Sequence, residues 1–240
     1  MVKLNFLRTP PLDVYSQMAA DEILVAETKS TGEVYARIFN WGESAQNKAP
    51  CATFGYAQYE SLVKKQLDAQ GIKTYTRRPT GGGIVVHRDD LTFSLVFPAP
   101  KNFKAPALYA GLHRAIKEEL IKNGFKPSVY ADKSDYRPAA GGKASGCFAN
   151  PVTDDLLDEN GAKVLGGALR KFADAVLYQG SLQIKGARQS ETCAAAVKNA
   201  CVNFFETDLV AEKAAQTPLL YNAYALAAKQ YKQASWIKKF

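Results

Sequence analysis

The segment YTRRPTGGGIVVHRDDLTFSLVF, residues 75–97, sets Arg77 and Arg78 ahead of Gly81, Gly82 and Gly83, with His87 four residues beyond. Three glycines let successive N–H groups turn inward and cradle an anion. An arginine beside them adds a fork of always-charged donors. The competing reading is a wide turn with an arginine on its rim. A P-loop is excluded, because no GxxxxGK[ST] pattern is present. Bare backbone meets a cation again in AKVLGGALRK, where Lys163 precedes Gly166, Gly167 and Ala168. A lysine at a strand edge is usually solvent-exposed, so this run alone says little. Cys147 sits in GGKASGCFANP, a loop of small residues. Its thiol is either packed there or made nucleophilic by a nearby cation, for which Lys143 and Lys163 are the candidates. His87 and His113 offer a Cys–His pair as the competing arrangement. His113, in YAGLHRAIKE, is expected on a helix face. His87 ends a strand and either lines a site or fixes the loop by a hydrogen bond.

The elements that must position these groups follow from periodicity. PLDVYSQMAADEILVAETKS carries helical apolar spacing through Met18, Ile23, Leu24 and Val25. EVYARIFNW and CATFGYAQ read as strands, and ESLVKKQLDAQG as a short helix ending at Gly71. IKTYTRR leads as a strand into the glycine loop. IVVH and LTFSLVF are expected to form a hairpin around Arg88, Asp89 and Asp90. APALYAGLHRAIKEELIKNG is a helix with Pro106 near its start and Gly124 past its end. AKVLGGALRK and AVLYQGSLQIK form a second hairpin turning near Ala173, and the chain from about Arg188 is expected to be mostly helical. Hairpins among helices predict an α+β fold, a mixed and largely antiparallel sheet packed with helices in one domain.

Composition narrows the partners. The 240 residues carry a net charge of +8 and 47% hydrophobic residues, the balance of a folded globular chain. No run reaches the roughly 18 apolar residues of a membrane span, so no membrane partner is expected. The basic residues are scattered, and aromatics do not interleave with them as a stacking platform requires, so no nucleic acid is expected. A solvated basic surface or an acidic protein partner suits the charge better. MVKLNFLRTPPLD has one short apolar patch and no small-residue cleavage site, which makes the cytoplasm the expected compartment. There is no CxxC pair, and with two histidines no metal site is expected. Cys51, Cys193 and Cys201 lie in strand-like or alanine-rich helical runs and are expected to be small buried residues.

Four stretches, in order, resemble the lipoate–protein ligase and octanoyltransferase family, whose catalytic domain is of the biotin/lipoate ligase-like kind. QMAADEILV looks like its first helix, and RIFNW followed by CATFGYAQ like an early strand pair ending in Gly55 and Gln58. RRPTGGGIVVHRDDLTFS is similar to its Arg-Arg-x-Ser/Thr-Gly-Gly run with a following histidine. AKVLGGALRK with LYQGSLQI resembles its lysine motif and the next strand. The resemblance spans roughly Pro10 to Lys185 and implies one biotin/lipoate ligase-like catalytic domain over residues 1–240, with a C-terminal helical segment from about 188. It implies that the glycine loop lies against an acyl chain and its carboxyl or thioester end. Arg78, Gly81, Gly82, Gly83, His87, Ser94, Gly166, Gly167, Ala168 and Gly180 would then bind substrate. Biotin fits less well, because the GRGRxG-type loop of biotin ligases is missing.

Two chemistries divide that family. A ligase activates lipoate with ATP and Mg to give lipoyl-AMP, then acylates a lysine. A cysteine octanoyltransferase takes the acyl group from a thioester onto its own thiol and needs no cofactor. Cys147 precedes Lys163 by sixteen residues, and CFANPVTDDLLDENGAKVLGG resembles the Cys-Phe-x-x-Pro…Lys segment of the cysteine octanoyltransferases and amidotransferases. Two departures stand beside this. Gly83 holds a position where those transferases often carry Arg, and GGALRK differs from their Gly-Ser/Ala-Ala-Gln pattern. The resemblance therefore implies an acyltransferase of protein lipoylation with Cys147 and Lys163 as catalytic residues. Its donor would bear an octanoyl or lipoyl group, and its acceptor would be a lysine of an acidic lipoyl domain or glycine-cleavage H protein. The alternatives are the ATP-dependent ligase and a non-catalytic binder of lipoyl-domain proteins.

Overall fold

The computed structural model describes residues 3–42, 50–131, 151–207, 209–214 and 217–240. In chain order the strands are β1 (Leu4–Arg8), β2 (Val34–Phe39), β3 (Cys51–Phe54), β4 (Thr74–Arg77), β5 (Val85–His87), β6 (Leu91–Pro98), β7 (Ser128–Val129), β8 (Leu156–Leu157), β9 (Lys163–Phe172), β10 (Ala175–Leu182) and β11 (Leu209–Ala214). The helices are α1 (Val14–Thr31), α2 (Glu60–Asp68), α3 (Ala105–Lys122), α4 (Glu191–Phe205), α5 (Thr217–Leu226) and α6 (Ala234–Ile237). The fold is α+β, with two sheets rather than the single sheet expected. The larger has the order β11-β1-β2-β6-β10-β9-β8-β7, and the smaller β4-β3-β5. Pairing in the larger sheet is antiparallel from β2 through β7 and parallel only at β11, β1 and β2.

Central strands β2, β6 and β10 are buried almost throughout, because helices cover both faces. On one face Phe6, Leu95, Phe97, Val176 and Tyr178 pack against Leu112, Ile116 and Leu120 of α3 and Val197 and Ala200 of α4. On the other, Leu7, Tyr35, Val96 and Leu177 pack against Leu24 and Val25 of α1. The alternation of these residues along each strand is the period of two that sends successive side chains to opposite faces. Asp13 caps α1 by accepting from the Ser16 N–H, and Gly32 ends it in the left-handed region at φ 71°.

The β9–β10 hairpin forms as expected, turning at Ala173 with φ 51°. The expected β5–β6 hairpin does not form. β5 pairs with β3 in the small sheet, whereas β6 lies between β2 and β10 in the large one. LTFSLVF is apolar on both faces and needs neighbours on both edges, which the three-residue β5 cannot supply. The Arg88–Asp90 link is instead a crossover corner, fastened where Asp90 accepts from His87, Thr92 and Ser181. The C-terminal segment is mostly helical as expected, through α4, α5 and α6, but it also holds one strand among the described residues. β11 pairs parallel with β1, closing an edge that would otherwise be left open. No helix of the described residues is long and apolar enough to cross a membrane.

Candidate active site

A narrow cavity of about 30 Å³ lies where the two sheets meet, and Arg78, His87, Gly166, Gly167, Ala168 and Gly180 all line it. Arg78 and His87, which flank the glycine run, thus share one cavity with the Gly166–Ala168 stretch of β9, whereas Gly81, Gly82, Gly83 and Lys163 are not among its lining residues. Met18, Trp41, Thr53, Val85, Thr92, Gln179 and Ser181 complete the lining. Cys147 and Lys143 lie outside the described residues.

The glycine run serves a close approach of two backbones. A Cβ on Gly55 would stand 1.9 Å from the Gly82 carbonyl oxygen, far inside contact distance. The Arg78 N–H donates to Phe54 O at 2.9 Å and the Tyr56 N–H to Thr80 O at 2.8 Å, drawing the loop onto the turn after β3. Arg78 donates through Nε and Nη2 to the Gly81 carbonyl, at 3.0 and 2.5 Å, so its guanidinium closes the loop on itself. Arg77 is fully buried and donates to the carbonyls of Tyr56, Gln58, Trp236 and Ile237, tying α6 to the strand before the loop.

His87 both lines the cavity and fixes the loop. Its Nδ1 lies 2.8 Å from Asp90 Oδ2 and its Nε2 3.0 Å from Thr53 Oγ1, and its ring stacks on Trp41 at 4.0 Å. Burial pushes the Asp90 carboxyl up, but His87 and the hydrogen bonds from His87, Ser181 and Thr92 outweigh it and hold Asp90 below the usual carboxylate range.

Ser94 is buried beneath the cavity, outside its lining. Its hydroxyl donates to Asp21 Oδ1 at 2.5 Å. Asp21 also pairs with Arg37 at 2.5 Å, both side chains being wholly buried, and accepts from Gln179 Nε2 at 2.6 Å. Thr80 of the glycine loop donates to Gln179 Oε1 at 2.6 Å. One polar cluster thus fastens α1, β2, β6, β10 and the glycine loop together. Asp21, Arg37 and Gln179 are not singled out by the sequence motifs, yet the first two carry a signal. Asp21 falls three residues from Met18 and from Leu24 on the apolar stripe of its helix, and Arg37 interrupts a strand that is otherwise apolar.

Lys163 is not the exposed edge lysine that its position permits. Its side chain is 2% exposed and pairs with Asp155 at 2.7 Å, one end of a network that runs to Tyr109 and Gly167. A Cβ on Gly167 would fall 2.3 Å from Tyr178 Oη, so the tyrosine occupies the space a side chain would need. His113 lies on a helix face as expected, the buried face of α3, where Tyr178 and Asp154 satisfy both ring nitrogens. Nδ1 faces the Asp154 carbonyl at 2.8 Å and so donates, which leaves Nε2 to accept from the Tyr178 hydroxyl.

Burial lowers His113 to about 3 from an ordinary 6.5. The folded state therefore resists a proton that the unfolded chain accepts. Stability is complete above pH 6.5 and falls as pH drops toward 3. Urea titrations should show wild type losing about 1.4 kcal/mol per pH unit more than His113→Gln across that window. Equal slopes would mean that His113 takes a proton while folded.

The other thiols are poor nucleophiles. Cys51, Cys193 and Cys201 are buried as expected. Burial pushes Cys51 and Cys201 up to about 12 and raises Cys193 as well.

Comparison with known proteins agrees with this architecture. The sequence profile of the lipoyl protein ligase A/B catalytic domain matches residues 13–202. The chain is 28% identical over 188 residues to the octanoyltransferase LipM of Oceanobacillus iheyensis, covering 76% of this chain and 64% of that one. It is 28% identical over 191 residues to the LipM of Staphylococcus aureus, covering 74% and 64%. The matches thus span less than two thirds of those relatives. Among solved structures, protein Ta0514 of T. acidophilum with bound lipoic acid superposes with a TM-score of 0.76 at 18% identity, over 100% of both chains. A lipoate-protein ligase A bound with ATP gives 0.74 at 18%, over 99% and 98%. These two likenesses are of fold.

Proposed function

Because the chain belongs to the lipoyl protein ligase A/B catalytic domain family, we propose that it is an acyltransferase of protein lipoylation working through a cysteine thioester. The observation that carries this reading is the cavity that Arg78 and His87 share with Gly166, Gly167, Ala168 and Gly180. The octanoyltransferase relatives support the transferase branch over the ligase.

In this reading the Cys147 thiolate attacks the carbonyl of an octanoyl or lipoyl thioester. A C–S bond forms to Cys147, and the donor's thiolate leaves and takes a proton. Lys163 supplies the positive charge that favours the thiolate and the developing oxyanion. The neutral amine of an acceptor lysine then attacks the enzyme thioester. The C–N bond forms, the amine's proton is lost to solvent or thiolate, and the Cys147 sulfur leaves. The acyl chain would enter the cavity lined by Gly166, Gly167, Ala168 and Gly180 together with Arg78 and His87, and Gly81, Gly82 and Gly83 would hold the loop between those last two. Ser94 acts at one remove, through Asp21. The acceptor is an acidic lipoyl domain or H protein, which the +8 charge would attract.

Gly83, the residue that ligases place there, favours a second reading. In it the same loop would face lipoyl-AMP, made with ATP and Mg. The two separate on acceptor modification. Octanoyl-carrier protein alone should acylate a lipoyl domain, with ATP adding nothing. Acylation that requires free acid and ATP would replace the transferase with the ligase.

A further inference from the structure

We infer that Asp155 and Tyr109 are positioning residues for Lys163, holding its ammonium and the Gly167 stretch of the cavity wall in one fixed arrangement. The inference rests on the reading of Lys163 as a group that serves acyl transfer.

Three elements meet here. α3 supplies Tyr109, the residue just ahead of β8 is Asp155, and β9 supplies both Lys163 and Gly167. Asp155 Oδ2 accepts from Lys163 Nζ at 2.7 Å and from the Val152 N–H at 2.6 Å. Asp155 Oδ1 accepts from the Tyr109 hydroxyl at 2.6 Å. The same hydroxyl accepts from the Gly167 N–H at 3.0 Å. Lys163 and Gly167 are four residues apart on an extended strand, about 13 Å. The Asp155–Tyr109 pair therefore ties both ends of that stretch to one carboxylate.

The fold explains why a tyrosine is needed. β8 covers β9 only at Leu165 and Lys163. Beyond Leu165 the β9 edge has no strand neighbour among the described residues, and the Tyr109 hydroxyl takes the Gly167 N–H in place of a backbone carbonyl. Burial, and then the Asp155 charge, hold the Tyr109 phenol well above its ordinary value, so it remains a donor to the carboxylate. Its ring is held in turn against His113 at 3.9 Å.

Stability alone is a poor reason for this arrangement. A buried ion pair is generally no more stable than well-packed apolar residues of the same volume. Keeping a carboxylate at 0% exposure beside an ammonium makes sense when the ammonium must stay in one place. Misplacing a reacting group by about 1 Å can cost ~10²-fold in rate.

The test combines steady-state acyl transfer with an NMR signal that does not depend on activity. Asp155→Asn should lower kcat by ~10²-fold while the donor KM moves by less than ~2-fold. Asp155→Glu should recover part of that loss. Tyr109→Phe keeps the ring and the fold's packing and should give a smaller kcat loss, so the proposal stays testable if Asp155→Asn folds poorly. In ¹⁵N-lysine-labelled protein, the Lys163 ammonium resonance, assigned by its disappearance in Lys163→Arg, should be sharp in wild type and broadened in Asp155→Asn. Unchanged kcat in Tyr109→Phe and Asp155→Asn, with an unchanged resonance, overturns the proposal. A resonance that follows Asp155 while Lys163→Ala stays fully active overturns the transferase reading of Lys163 instead.

Discussion

Asp21→Ala is expected to destabilise the fold by about 3–5 kcal/mol, the cost of leaving a buried charge without its partner. Arg37 is wholly buried, and burial lowers its guanidinium from the ordinary value while Asp21 works to raise it. Without Asp21, Arg37 keeps only neutral partners, the Gln17 side chain and carbonyl and the Thr9 hydroxyl. Ser94 loses its carboxylate acceptor at the same time, and Gln179 Nε2 keeps only the Met18 sulfur. A domain holds about 5–15 kcal/mol in total, so the variant would sit near the edge of folding. Urea unfolding measures the loss. A cost below about 1 kcal/mol would mean that water or a shifted side chain replaces the carboxylate. The effect should also reach the glycine loop, because Thr80 hangs on Gln179 and Gln179 on Asp21.

Cys147→Ala is expected to lower acyl transfer by ~10³-fold or more, as removal of a nucleophile does elsewhere. The surrounding sequence, GGKASGCFANP, is rich in small residues, and melting temperature should move little. Cys51→Ala and Cys201→Ala are the matched controls. Their thiols are buried and pushed up to about 12, and neither variant should lose turnover beyond what its stability explains. Transfer that survives Cys147→Ala would move the chemistry off a cysteine thioester.

How much of this was legible in the sequence depended on the range of the interactions. α1, α3 and the β9–β10 hairpin could be read locally, since periodicity, Pro106, Gly124 and the turn near Ala173 act within a few residues. The partners of β5 and β6 could not. Val85–His87 and Leu91–Pro98 are both strand-like, and only the positions of β3, β2 and β10 decide that they separate into two sheets. β11 was missed for the same reason: LVAEKA becomes a strand because β1 offers an open edge, while neighbouring residues are helical.

The site divided in the same way. Six residues picked from motifs line the cavity, because glycine runs beside cations are conspicuous in any sequence. The network behind them is not. Asp155 lies among ordinary polar loop residues, and nothing within ten residues marks it as the counter-ion of Lys163. Tyr109 resembles any helix-surface tyrosine until β9 is found to run out of a strand partner beside it. Arg78, read from the motif as a donor to an anion, does line the cavity, and its bonds to Gly81 O are what the motif does not reveal.

The most direct test of the central claim is the intact mass of the protein after incubation with octanoyl-carrier protein and no ATP. A mass increase equal to one octanoyl group, removed by hydroxylamine and absent in Cys147→Ala, is the predicted result. No adduct on the wild-type chain, in a reaction that still acylates the acceptor, would contradict the thioester mechanism.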